Sequence, residues 1–212
     1  AADRAFLESG HKTLYLVNVT NRPRMMRENI RAAIDAGAKG CLINHVFTGF
    51  DALAEVCEEF GKDLFIMAHY AGVDIMNSAS RGIAESVFVG LLPRLAGAHA
   101  TMTMFPGSDH GPDRYNMIKT LQNQKMPLHT IKPMVLTIGG GITPLNMHTI
   151  VQELGNDCII GVGGAIQGHP GGAKQGAMAA QQALSAAVNG KDIHEAARNH
   201  EELAAAIQAF SR

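Results

Sequence analysis

Several absences narrow the field before any motif is considered. The chain of 212 residues contains no tryptophan. Its charged fraction is 17% against 46% hydrophobic, a balance that suits an α/β protein rather than a disordered one. Net charge is −1, so the electrostatic footprint that nucleic acid or an anionic membrane would require is missing. Any anion must be held by local backbone and a few side chains. Cys41, Cys57 and Cys158 are the only cysteines and share no metal-ligand spacing, which favours a reduced, intracellular setting. No apolar stretch has the length of a membrane span, and no basic-then-apolar leader precedes Ala1, so a cytoplasmic location is the default expectation. No strand-like run ends in a lysine, which argues against a Schiff-base aldolase. No group of three carboxylates is placed to hold a divalent ion, so no metal ligands are assigned within this chain. Linkers, low-complexity tracts and charge runs are also missing, so residues 1–212 are expected to form a single domain closed by terminal helices at 193–211.

Glycine, by contrast, is plentiful and concentrated. The segment Lys132–Gly172 holds two glycine-rich strand ends separated by a short helix. An apolar run from Met134 to Ile138 leads into Gly139, Gly140 and Gly141, then Thr143-Pro144. A second run from Cys158 to Val162 leads into Gly163 and Gly164, then Gly168-His169-Pro170-Gly171-Gly172 and an Ala-rich helix. A buried parallel strand that ends in glycines and feeds a helix N-terminus lets backbone N–H groups approach an anion closely. Two such ends in succession match the way the last loops of a (β/α)8 barrel hold a phosphate.

Strand-like runs occur at Thr13–Thr20, Gly40–Phe47, Asp63–His69, Ala100–Phe105, Met134–Ile138 and Cys158–Val162, spaced like βαβ units. Most are apolar without alternation, as parallel strands covered on both faces should be. Helical patterns lie between them. Pro23 opens one that carries Met26, Ile30, Ala33 and Ile34 on one face and stops at Gly37. Others run over Phe50–Phe60, Ser78–Leu95 with a break near Pro93, Pro112–Gln124, Leu145–Leu154 and Lys174–Val188. One or two terminal helices follow between Ile193 and Phe210. Ala1–Gly10 reads as the closing turns of a helix without a cap, which raises the expectation of an upstream part. The six βα units belong either to part of an eight-stranded TIM barrel or to an open sheet, and the twin glycine ends favour the barrel.

In such a barrel, chemistry sits where strands end. Those positions carry Asn18 and Thr20, Asn44 and His45, His69 and Tyr70, and then Thr103, Phe105 and Ser108. His69 projects into the expected mouth, as general acid/base or phosphate ligand, or as a hydrogen-bonded rim histidine. Asn18 and Asn44 either hydrogen-bond an enolate oxygen or a metal-bound water, or cap the following turns. His169 is expected to bond the backbone of its own loop. Asp109-His110 lies in a Gly/Pro loop and is read as solvated. Lys132 precedes its strand and is read as structural.

The segments LYLVNVT, LINHVFTGFDAL, IMAHYA, GGGI…NM…I and above all GVGGAIQGHPGGAKQGAMAA resemble the C-terminal barrel of the RuBisCO large-subunit superfamily. They are closer to its non-carboxylating, RuBisCO-like branch, which includes the diketo-methylthiopentyl-phosphate enolase of methionine salvage. The resemblance runs from about Lys12 to Gly190 and rests most on the GG-x-x-x-GHP-x-G motif. It implies that the six runs are barrel strands three to eight. It also places Gly140, Gly141, Gly163 and Gly164 on phosphate-binding backbone positions, His69 on the fifth-strand histidine, and Asn18 and Asn44 at polar strand ends. Three departures point away from a bisphosphate carboxylase and toward a single-phosphate substrate. Tyr70 stands where carboxylating members have arginine, Gly139 where they have serine, and FPGSDHGPDR lacks their loop lysine.

The resemblance further implies a Mg²⁺-dependent enolase, with the metal ligands expected upstream of this chain. A decarboxylase or isomerase of a sugar-acid phosphate, or a non-catalytic phosphate-binding fragment, are the alternatives. Expected partners are a phosphorylated small molecule and either a second copy, as a homo-oligomer (dimer), or the missing N-terminal part.

Overall fold

The computed structural model describes residues 2–78, 81–106 and 113–211. They divide into two compact units, Ala1–Thr103 with Ile118–Val135, and Met104–Met117 with Leu136–Arg212.

The first unit begins with helix α1 (Ala2–Ser9) and contains four strands, β1 (Leu16–Asn18), β2 (Gly40–Asn44), β3 (Phe65–His69) and β6 (Ala100–Met104). They pair in parallel in that order. Val17 lies opposite Cys41, Asn44 opposite His69, and Ala68 opposite Thr101. β2 and β3 are buried on both faces, as parallel strands with helical crossovers must be.

Helix α2 (Pro23–Asp35) starts with Pro23 in the first turn, where its missing N–H costs nothing, and buries Met26, Ile30 and Ala33. Ile34, expected on that face, is 39% exposed. Helix α4 (Phe50–Phe60) buries Ala52, Leu53, Val56 and Phe60. Together the two helices enclose a core around Ile30, Ile43, Leu53 and Ile66, each fully buried. Full burial of one such side chain contributes about 1.5–3 kcal/mol.

Three expected elements differ from the sequence reading here, and the first, Thr13–Thr20, is a strand only over Leu16–Asn18. The run Gly40–Phe47 stops as a strand at Asn44, because the Asn44 side chain accepts the Val46 N–H at 3.0 Å and starts the short helix α3 (His45–Thr48). The expected helix from Ser78 to Leu95 forms only in its second half. Its first residues belong to a small hairpin, β4 (Asn77–Ser78) with β5 (Arg81–Gly82), and Gly82 takes a φ of 136° that a helix forbids. A π-helical turn (Ser86–Leu91) then passes into α5 (Leu92–Leu95), widening the winding where Pro93 offers no N–H.

In the second unit, β7 (Val135–Gly139) pairs in parallel with β8 (Cys158–Gly161), Gly139 opposite Gly161. Helices α7 (Met147–Leu154), α8 (Gly163–Gln167), α9 (Ala173–Val188), α10 (Ile193–Ala197) and α11 (Glu201–Phe210) complete it. Helix α6 (Arg114–Lys125) begins two residues later than the sequence suggests. The tail forms two helices, the upper of the two expected numbers. The stripe of small residues on α9, including Gly176, Ala179, Ala183 and Ala186, is buried and lets its neighbours come close. A Cβ at Gly176 would collide with the backbone of Ile166 in α8. No described helix is long and apolar enough to cross a membrane.

Candidate functional site

In the second unit the two glycine clusters lie at the same end of neighbouring parallel strands. β7 closes at Gly139, buried and accepting the Phe105 N–H at 2.7 Å. The chain then turns through exposed Gly140 and Gly141, both with positive φ (81° and 65°). The positive φ favours glycine at Gly140, and a Cβ there would also crowd Met104 Cγ at 3.0 Å. Thr143 follows with a capping box. Its hydroxyl accepts the Leu145 N–H at 3.3 Å, and Asn146 Oδ1 accepts the Thr143 N–H at 2.9 Å. That box fixes the direction in which the Gly140–Gly141 peptides are presented.

Beyond β8, Gly163 and Gly164 form the first turn of α8, a helix the sequence reading did not separate from the glycine turn. The first backbone bond of this turn runs from the Ile166 N–H to the Val162 carbonyl at 3.0 Å. The amides of residues 163–165 precede it and have no partner within the helix. No side chain caps this end, and a Cβ at Gly163 or Gly164 would meet nothing within 4 Å. The second glycine end is therefore an open cradle of backbone donors. His169 is 5% exposed and structural, as expected. Its Nδ1 accepts the Gly171 N–H at 2.9 Å, which leaves Nε2 to donate to the Glu202 carbonyl at 2.9 Å.

In the first unit, Asn18, Asn44 and His69 end three successive strands, and their polar atoms are joined through the backbone. Asn18 Oδ1 accepts the Thr20 N–H at 3.1 Å, and Thr20 Oγ1 accepts the Asn44 N–H at 2.9 Å. Asn44 uses Oδ1 on Val46 and donates Nδ2 to the Ala71 carbonyl at 2.9 Å. Ala71 in turn donates its N–H to His69 Nδ1 at 3.1 Å. Both asparagines thus have the turn-capping duty that was one of their two readings. The tie through Thr20 and Ala71 was not foreseen, since it depends on backbone groups that sequence does not orient.

His69 is half-buried, and burial lowers its pKa below the ordinary histidine value. The Tyr70 ring lies parallel to it, centroids 5.2 Å apart. The Tyr70 hydroxyl is itself pushed up to about 12 by burial and by Glu85 and Asp74.

His45, named among the strand-end positions, turns away from that role. It is 1% exposed and packed between Phe50 and Phe88 at 5.2 and 5.5 Å, and neither ring nitrogen meets a hydrogen-bond partner. Burial drives its pKa down to about 4, reinforced by His69.

Thr103, a strand-end candidate, is instead buried, and its hydroxyl accepts from Gln124 Nε2 at 2.9 Å. Ser108, Asp109 and His110 lie outside the described residues. Among the described residues no three His, Cys, Asp or Glu side chains come together as a metal site. The strand ends offer amide and imidazole groups rather than the carboxylates Mg²⁺ prefers. The donor set of the described residues therefore does not fit a magnesium ion.

Parallel βα units whose strand ends carry these groups define a TIM-barrel type of α/β protein. The family described as the ribulose bisphosphate carboxylase large chain, catalytic domain, matches residues 1–210, and the chain belongs to that family. A ribulose bisphosphate carboxylase-like protein of Archaeoglobus fulgidus is 37% identical over 98% of this chain and 48% of its own length. A 2,3-diketo-5-methylthiopentyl-1-phosphate enolase of Bacillus licheniformis is 32% identical over 99% of this chain and 52% of its own. The solved RuBisCO-like protein MtnW of Alicyclobacillus acidocaldarius superposes with a TM-score of 0.90 at 31% identity, over 98% of this chain and 52% of that one. The chain spans about half the length of these relatives. Their resemblance supports the non-carboxylating branch and a partial barrel of six parallel strands.

Proposed function

We propose that this chain is the phosphate-holding portion of a RuBisCO-like protein that enolises a phosphorylated keto compound, of which the methionine-salvage diketo phosphate is one. The observation that carries the reading is the pairing of β7 with β8, which brings Gly140–Gly141 and Gly163–Gly164 to one end with their amides exposed. Relatives named as 2,3-diketo-5-methylthiopentyl-1-phosphate enolases support the substrate class. On this reading the glycine amides take the phosphoryl oxygens as charge-assisted donors. For His69 the proposed part, carried by its match to the family's fifth-strand histidine, is that of a neutral hydrogen-bond donor. Mg²⁺ would supply electrostatic stabilisation of the enolate, with ligands outside this chain. The residues here hold and orient.

The test is solvent-deuterium incorporation into keto phosphates, including the diketo-methylthiopentyl phosphate, followed by proton NMR with the full-length protein and Mg²⁺. Exchange at the carbon beside the carbonyl is expected. Its absence with every candidate, while phosphate esters still bind, would favour the non-catalytic phosphate-binding reading.

Association belongs to the same proposal. β1 has a neighbour on one side only, and Leu14, Tyr15 and Phe47 are 48, 63 and 69% exposed. An open edge beside exposed apolar side chains favours contact with a second copy or with the N-terminal part of the protein. Sedimentation should show an assembly, and a monodisperse monomer would refute it.

A further inference from the structure

Arg94 in α5 is a cation buried without a counter-charge among the described residues. It is 2% exposed. Its guanidinium donates from Nε to the Lys132 carbonyl at 2.9 Å, from Nη1 to the Asn123 carbonyl at 2.9 Å and from Nη2 to the Ile131 carbonyl at 3.1 Å. A guanidinium carries five N–H donors, so these bonds leave two unused. Arg94 forms no ion pair with any described residue. Carbonyl dipoles offset only part of the hydration such a charge has lost, and arginine is seldom buried this deeply without an acid.

A pocket of about 330 Å³ adjoins it, lined by Arg94, Phe65, His99, Lys132 and Pro133 among others and by no carboxylate. The volume falls at the lower end of small-molecule cavities. Lys132 is exposed, makes no ion pair with a described residue, and its charge adds to the burial that holds the His99 pKa down. His99 is a neutral wall. Its Nδ1 accepts the Ile66 N–H at 3.0 Å and its ring stacks on Phe65 at 5.5 Å. Two cations thus border one small space in which nothing balances them.

We propose that this pocket binds a small tetrahedral oxyanion of the phosphate class, held by the two spare N–H groups of Arg94 and the ammonium of Lys132. Phe65 opens β3 and His69 closes it, so roughly 13 Å of strand separates this site from the strand-end residues. It is independent of the glycine cradle and of the enolase reading.

The test is residue-resolved NMR of the intact protein with inorganic phosphate, sulfate and acetate as probes. Phosphate and sulfate should move the Arg94 Nε–H and the His99 ring signals saturably, and Lys132→Ala should weaken that response about tenfold, the loss of one charge-assisted contact. The Gly163 and Gly164 amides report separately on any phosphate held at the other site. Signals that stay still, drift linearly without saturation, respond to acetate alone, or respond equally in Lys132→Ala would overturn the proposal. Lys132 is at the surface, so the variant should fold, and an unchanged thermal midpoint without probe checks this.

Discussion

The Ala71 amide donates its proton to Nδ1 of His69 across 3.1 Å. A nitrogen that accepts cannot also carry the ring proton, so neutral His69 must be protonated at Nε2. Because burial lowers its pKa, the neutral form dominates near pH 7. His69 therefore presents a donor, and under the proposed function it would steady a developing negative charge rather than remove a proton. Nitrogen-15 NMR should show the Nε2–H tautomer and a titration below the ordinary value of 6.5. His69→Gln, which retains an N–H donor, should keep more activity than His69→Glu. The reverse order would point to a base.

Asn44 stands behind that arrangement. Its Oδ1 starts α3 and its Nδ2 holds the Ala71 carbonyl. Asn44→Ala should cost about 1–2 kcal/mol in urea unfolding, the size of a lost cap. It should also loosen the His69 ring, visible as a mixture of tautomers.

His45 gives the fold a built-in acid sensitivity. Folded, it resists protonation until about pH 4, whereas the unfolded chain takes the proton near 6.5. Between those values the unfolded state binds more protons, so the stability His45 contributes is complete above pH 6.5 and is lost as pH falls toward 4. The span corresponds to about 3 kcal/mol. His45→Phe keeps a ring against Phe50 and Phe88 but cannot titrate. Its stability advantage over the wild type should widen as pH falls from 7 to 4.5, and a constant difference would show that His45 does not drive the effect.

Glycine replacements separate structure from binding. Gly→Ala within a helix ordinarily stabilises by up to about 1 kcal/mol. Gly176→Ala should instead destabilise, because the new methyl runs into the Ile166 backbone. Gly140→Ala should also destabilise, by about 1 kcal/mol or more, since its φ of 81° suits only glycine. Gly164→Asp meets open space and should leave the thermal midpoint nearly unchanged while repelling a phosphoryl group.

Much of this was legible from spacing alone. The apolar runs Gly40–Phe47, Asp63–His69 and Met134–Ile138 predict the parallel strands that close at Asn44, His69 and Gly139, and helix Phe50–Phe60 appears with the boundaries its pattern implies. The paired glycines predict where backbone donors lie open. Less visible were features that depend on one hydrogen bond or one contact. The Asn44 side chain converts the end of an apolar run into a helix, and Gly82 turns an apparent helix start into a hairpin. His45 follows Asn44 in sequence, yet only packing shows that its ring is buried beside Phe88. Arg94 looks like an ordinary surface cation in a helical pattern until its three carbonyl partners are seen.

The proposed function requires that the ends of β7 and β8 hold one phosphoryl group by their backbone amides. Amide NMR during titration with a phosphorylated keto compound tests it most directly. The Gly140, Gly141, Gly163 and Gly164 signals should shift together along a single saturating curve, and Gly164→Asp should abolish the response. If these four stay fixed while the ligand shifts other residues, the phosphate lies elsewhere and the account is contradicted.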